Sequence, residues 1–408
     1  MRRSLVTVMV AAVIAPLALS GCGDNKKPVA SASVSAGSSA TASAPPTESA
    51  AVPIALAVTP AAGKKNLPLS TEIGLQVAGA KITSVTLKDG AGKAVSGTLR
   101  DDGSSWVPSK TLKAKTTYAA SVVATADDGT TKTAATSFTT MGAPAHKTGT
   151  GLYLFDDHTY GVAMPVVAEF NPGIKKADRA AVQKRMFVQT DPPQPGVWSW
   201  TSSGTQAYYR SQEYWKPGTK LTVRIAVGGV PTGGGRYGDR DRAATAKIGR
   251  DFEMTVDNAT KKMTVTQNGK VVKTALVSLG RPSKPSVSGT LVVMDKQTQT
   301  VFDTTDTAGS AGYRVNIQDA QRITWSGQYI HSAPWSVGAQ GHRNVSHGCV
   351  NVSPSNAQWL FAKTLIGDPV TVKGTGVKAD YGDGWTAWNV SWQEFIKGSA
   401  LPVPATLK

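Results

Sequence analysis

The stretch from Tyr329 to Asn351 carries three of the five histidines of this 408-residue chain and one of its two cysteines. A cysteine within reach of a histidine is the minimum kit for nucleophilic catalysis. Imidazole removes the thiol proton, and the thiolate attacks carbonyl carbon. Cys349 is the candidate nucleophile, and two histidines compete for the role of base. His347 precedes it by two residues, a spacing that in a strand puts both side chains on one face. His331 lies eighteen residues upstream, at the end of the strand-like run Gln328-Tyr329-Ile330, and a loop rich in Gly, Pro and Ser could fold it back onto Cys349. Ser332 could then bond the far ring nitrogen and fix the tautomer. Gly348 gives the backbone room to aim N–H groups at a developing oxyanion.

These residues must be held by the elements around them. Met263 to Ala275 places Asn268-Gly269 between two alternating runs, a strong hairpin signal. Further strands are expected at 276–279, 290–294, 323–325, 328–331 and 370–372. Helical patterning is confined to Ser355 through Leu365, with Pro354 in the first turn and Leu360, Phe361, Thr364 and Leu365 on one face. The stretch from Met294 to Tyr313, with Gly309 and Gly312 near its end, is expected to be a loop able to act as a lid.

Upstream, 53–140 alternates short β-rich runs with turn signals such as Asp89-Gly90, Asp102-Gly103 and Asp128-Gly129, which implies a β-sandwich. The region before residue 250 repeats the theme: Leu112-Lys113-Ala114-Lys115-Thr116-Thr117-Tyr118 is answered by Trp215-Lys216-Pro217-Gly218-Thr219-Lys220-Leu221. A spacing of about one hundred residues is domain duplication. His146 and His158 read as surface or packing residues. The cluster Trp198, Trp200, Tyr208, Tyr209, Tyr214 and Trp215 reads as core and interdomain packing, with a carbohydrate platform as the alternative. The tail carries Trp385, Trp388, Trp392 and Phe395, too many large rings to be left in solvent.

Hydrophobic residues make up 40% of the chain, and it contains 23 prolines, which suits a loop-rich β protein. Met1-Arg2-Arg3, the apolar run Leu5 to Leu19 and Ser20-Gly21-Cys22 have the three regions of an export signal, too short for a good membrane span. Residues 22–52, dominated by Ala and Ser without an aromatic ring, cannot bury enough apolar surface to fold and read as a tether. Formal net charge is +17 from 44 basic and 27 acidic residues. Export removes nucleic acid from the partners such a charge suggests, leaving anionic lipid and wall polymers, or a solvated surface with no selected partner.

His331, fourteen intervening residues and Ser346-His347-Gly348-Cys349-Val350-Asn351 resemble the signature of the L,D-transpeptidase catalytic domain. Those bacterial enzymes cross-link peptidoglycan stem peptides. Trp335 and Ser353-Pro354-Ser355-Asn356-Ala357 are also in register. Leu19-Ser20-Gly21-Cys22 resembles a lipobox, which makes Cys22 the lipidated residue. The resemblance implies a mainly β chain: signal peptide 1–21, tether 22–52, immunoglobulin-like domains 53–146 and 147–250, catalytic domain 251–375 with one clear helix, and a C-terminal extension 376–408 packing on its neighbours.

It further implies a cysteine acyltransferase without a cofactor, anchored by lipid on the outer face of the cytoplasmic membrane and reaching into the wall. Cys349 would be the nucleophile, His331 the base and Ser332 its orienting group. Gly348, Cys349 and Tyr313 would hold the oxyanion, and His347, Asn351, Ser326, Gly327, Met294 and Trp335 would shape the cleft. Donor and acceptor stems would be the substrates, and carbapenems would acylate Cys349. Hydrolysis of the same acyl-enzyme, a zinc site built from His331, His342, His347 and Cys349, and a non-catalytic wall-binding lipoprotein are the rival readings.

Overall fold

A computed structural model describes residues 53–303, 305 and 314–408. The proposed leader, Cys22, the tether, Gly309, Gly312 and Tyr313 therefore lie outside the described residues.

Ala55–Thr59, Ile73–Ala78, Ser105–Pro108 and Gly97–Leu99 form one sheet of the first sandwich. Lys64–Leu67, Thr131–Thr140, Thr117–Thr125, Lys81–Asp89 and Ala94–Val95 form the other. Their inward positions, Ile73, Trp106, Leu87, Tyr118, Val122 and Phe138, make one apolar core. The Tyr118 hydroxyl accepts the Lys113 N–H at 2.9 Å, the corner bond typical of immunoglobulin-like sandwiches.

The second sandwich faces a six-stranded sheet, running from Gly196–Trp200 to Pro231–Gly233, with a four-stranded one built on Arg242–Ile248 and Lys220–Ile225. The internal repeat read from sequence is visible as repeated bonding. Leu112 N–H donates to Leu69 O, and Trp215 N–H to Val162 O. Thr140 N–H donates to Thr116 O, and Ile248 N–H to Thr219 O. Lys115 and Gly218, 103 positions apart by subtraction of their numbers, both take positive φ, at 48° and 87°.

The last unit layers Lys270–Leu276, Lys262–Gln267, Phe252–Asp257, Pro369–Lys373 and Gly289–Val292 against a second sheet. That sheet runs Asp295–Asp303, Arg314–Arg322, Tyr329–Ser332, Val350–Val352. Asn268 and Gly269, at φ 51° and 73°, make the expected tight hairpin turn. The helix covers Pro354–Lys363, where Ser353 caps it by accepting the Asn356 N–H.

Three expectations fail. Residues 277–279, read as strand, follow Lys270–Leu276 with only an isolated bridge at Ser278. The first part of the segment read as a loop and lid is strand, Asp295–Asp303 paired antiparallel with Arg314–Arg322, and residues 323–325 are not strand. The two paired sequences, DKQTQTVFD and RVNIQDAQR, are polar on both faces over much of their length, so they lack the apolar alternation of a half-buried strand.

The tail joins the core of the second sandwich rather than forming one of its own. Trp385, Ala387, Trp392 and Phe395 are buried with Trp198, Trp200 and Tyr208 of that sandwich and with Val292 and Met294 of the last unit. Arg210 is 2% exposed. It donates to Ala387 O at 3.0 Å and Val390 O at 3.2 Å, while its guanidinium lies over Trp388 and Phe395 at 4.3 and 4.4 Å.

Candidate active site

The last two strands of the second sheet, the second of them at its edge, set the site. Tyr329–Ser332 and Val350–Val352 run parallel, pairing Ile330 with Val350, His331 with Asn351 and Ser332 with Val352. Side chains alternate across a strand, so one face carries Ile330, Val350 and Val352 into the core under the sheets. The opposite face presents Tyr329, His331, Cys349 and Asn351. Asn351 is the lateral neighbour of His331, and Cys349 lies diagonally one step away. The face opens on a groove of about 670 Å³ lined by Cys349, His331, Asn351, His347, Trp335, Phe302, Ile317 and Arg343 among others.

His331 is 3% exposed and packs edge-on to Phe302, with ring centroids at 5.6 Å, and beside Trp335 at 6.0 Å. Its Nδ1 lies 2.8 Å from the carbonyl of Ser332. A carbonyl only accepts, so Nδ1 carries the proton and Nε2 keeps a free lone pair. Burial holds the imidazole below its ordinary pKa, opposed by the Ser332 carbonyl and the Asn351 side chain. Burial likewise pushes the Cys349 thiol up to about 12, offset in part by the Tyr329 backbone N–H. Both shifts favour a neutral thiol beside a neutral imidazole in the resting site. The thiol is turned toward Gly327 O at 3.9 Å.

The turn before the cysteine is fixed by short polar bonds. Ser346 Oγ donates to Cys349 O at 2.6 Å and accepts the Gly348 N–H at 3.1 Å. Ser286 Oγ donates to Gly348 O at 2.6 Å. Gly348 takes φ +123°, a conformation that side chains disfavour, and a Cβ there would meet the Gln328 side chain at 3.3 Å.

Residues 251–372 match the L,D-transpeptidase catalytic domain, and residues 64–231 match a bacterial Ig domain. L,D-transpeptidase 2 of Mycobacterium tuberculosis is 34% identical over 343 residues, 83% of this chain and 83% of that one. L,D-transpeptidase 5 of the same organism is 33% identical over 83% of this chain and 74% of its own length. The chain belongs to the L,D-transpeptidase family. A solved structure of an L,D-transpeptidase in complex with imipenem aligns with 56% of this chain and 100% of its own, at 33% identity and a TM-score of 0.47.

Within this transpeptidase, several residues stand elsewhere than expected. The Ser332 hydroxyl is on the wrong face to reach the His331 ring, because alternation turns it away, and the backbone carbonyl takes its place. The Gly348 N–H is already used by Ser346. Met294 is 4% exposed under the tail, where its sulfur accepts the Trp385 N–H at 3.2 Å, and it does not line the groove. Ser326 also faces the tail, donating from N–H and hydroxyl to the Asp383 carboxylate at 2.7 and 2.6 Å. Gly327, at φ +96°, touches the thiol through its carbonyl. Trp335 is 57% exposed at the groove.

His347 is exposed at the groove edge, where burial and the charges of Arg281 and Lys284 keep it below its ordinary pKa. Among the described residues no group of three His, Cys, Asp or Glu side chains stands together to hold a metal ion, and no helix is long and apolar enough to cross a membrane.

Sequence reasoning missed Ser286, Ser336, Phe302 and Ile317. Val315 and Ile317 alternate in a manner that could have marked their face. Nothing in the sequence marks Ser286.

Proposed function

We propose that this enzyme forms 3→3 cross-links in peptidoglycan through a thioester on Cys349. The observation that carries this is the placement of Cys349 and His331 on one sheet face above an open groove, with the Nδ1 proton committed to Ser332 O and Nε2 left as base. As the sulfur bonds to the carbonyl carbon of the donor tetrapeptide's penultimate residue, the thiol proton passes to Nε2. The charge on the carbonyl oxygen is met by the Cys349 N–H, which has no acceptor among the described residues. Collapse breaks the peptide C–N bond, and the imidazolium returns its proton to the departing D-Ala amine. The side-chain amine of a diamino acid on a neighbouring stem then attacks the thioester, gives up a proton to His331 and releases the Cys349 thiol.

Donor and acceptor muropeptides incubated with the enzyme should yield a dimer lighter than their sum by one D-Ala. A tripeptide as sole product would make the enzyme a hydrolase. Strained β-lactam carbonyls of the carbapenem type should acylate the same sulfur. No separate cofactor enters these steps.

The leader 1–21, Cys22 and the tether 22–52 support placement on the outer face of the cytoplasmic membrane with a lipid on Cys22. Incorporation of labelled palmitate into the wild type, and none into Cys22→Ala, would be the expected result. Equal labelling would remove the anchor.

A further inference from the structure

The Asn351 side chain is 2% exposed, yet its Oδ1 has no donor. Its Nδ2 is used, donating to Ser336 Oγ at 3.1 Å. A buried amide oxygen without a donor is costly, and such groups are rare in folded proteins. Oδ1 shares a sheet face and a groove with His331, its lateral neighbour across the parallel pair, about 4.8 Å away in backbone spacing. In the resting site the two cannot bond, because Nδ1 holds the only ring proton and donates it to Ser332 O.

We propose that Asn351 is a positioning residue for proton transfer, its Oδ1 accepting the Nε2–H of the His331 imidazolium that forms when Cys349 gives up its proton. The inference rests on His331 being the base. The S–H bond breaks, the proton goes to Nε2, the sulfur electron pair forms the S–C bond, and the new N–H has an unused acceptor oxygen beside it on the same sheet face. The resting orphan becomes satisfied only in the charged state, which is where stabilisation lowers a barrier. The Asn351 side chain opposing burial at His331 agrees with this.

Other groups around the ring do not supply the same effect. Phe302 and Ile317 of the paired strands Asp295–Asp303 and Arg314–Arg322, and Trp335 and Ser336 of the short helical turn, do not ionise in this range. On its own sheet His331 meets Cys349 and Tyr329, both neutral at rest, while of the other groups lining the groove Arg343 opposes a positive charge and His347, held below its ordinary pKa, is neutral at rest.

The test is the titration of the His331 ring by NMR in the Cys349→Ala protein, assigned by loss of its signal in His331→Gln. Asn351→Leu should lower the midpoint by about one pH unit, and Asn351→Asp should raise it by about as much. A role confined to packing would act differently: loosening the site admits water and moves both variants up toward the ordinary value. If the leucine protein does not fold, Asn351→Val, between Val350 and Val352, should show the same downward shift.

An unmoved or raised midpoint in Asn351→Leu overturns the inference and leaves the thiolate chemistry standing. In the active protein, Asn351→Leu should slow carbapenem acylation about ten- to a hundredfold with the acid limb displaced downward. A wild type that is never acylated would instead sink the reading of Cys349 and leave the His331–Asn351 relation measurable.

Discussion

At the level of single residues, burial favours the neutral forms of both the Cys349 thiol and the His331 imidazole, so the proposed nucleophile would be made on demand rather than stored as a thiolate. This has a pH consequence. The base must be unprotonated, and its pKa lies below 6.5, so activity persists below pH 6.5 and is lost only as the ring protonates. A stored thiolate–imidazolium pair would give a free-thiol titration well below its ordinary value. Acylation rates from pH 5 to 8 should show the acid limb beneath 6.5, and a limb above 7 would contradict the proposed resting state.

Cys349, His331 and the turn at Gly348 were legible as chemistry because reactive residue types at fixed spacing need few structural assumptions. The orienting group was not. Choosing between a serine hydroxyl and its own carbonyl requires knowing which face Ser332 presents, and strand phase is settled by pairing with Arg314–Arg322 on one side and Val350–Val352 on the other.

Elements were legible where local preference and burial agree. The Asn268-Gly269 hairpin and the helix after Pro354 are of that kind. Ser353→Ala removes the helix cap and should cost about 0.5–2 kcal/mol in denaturant unfolding, with carbapenem acylation of the folded protein nearly unchanged. A large loss of acylation at full stability would mean that the helix has a direct part in the site. The paired strands Asp295–Asp303 and Arg314–Arg322 were not legible, because their stability comes from pairing across polar strands. Met294, at their entry, was misplaced for a related reason: the tail that buries it starts some ninety residues later.

On the scale of the whole molecule, the tail ties the second sandwich to the catalytic unit, since one core holds residues of all three. Phe395 is 1% exposed in that core and lies against Arg210. Phe395→Ala should cost about 3–5 kcal/mol, seen as earlier thermal unfolding of second sandwich and catalytic unit together. Unfolding of the tail alone, with both units retaining their melting temperatures, would show that it is an appendage. The first sandwich is held to the second through Glu72, which pairs with Arg100 at 2.6 Å in its own unit and Arg185 at 2.8 Å across the junction. The aromatic cluster on 198–215 was rightly read as packing, but which partner it packs on depends on a segment nearly two hundred residues away.

The central claim is that the Cys349 sulfur attacks carbonyl carbon with His331 as base, and intact mass after incubation with imipenem tests it most directly. The account predicts one covalent adduct per wild-type chain, slowed strongly in His331→Ala and absent in Cys349→Ala. An adduct that survives Cys349→Ala, or a wild type that stays unmodified, would contradict it.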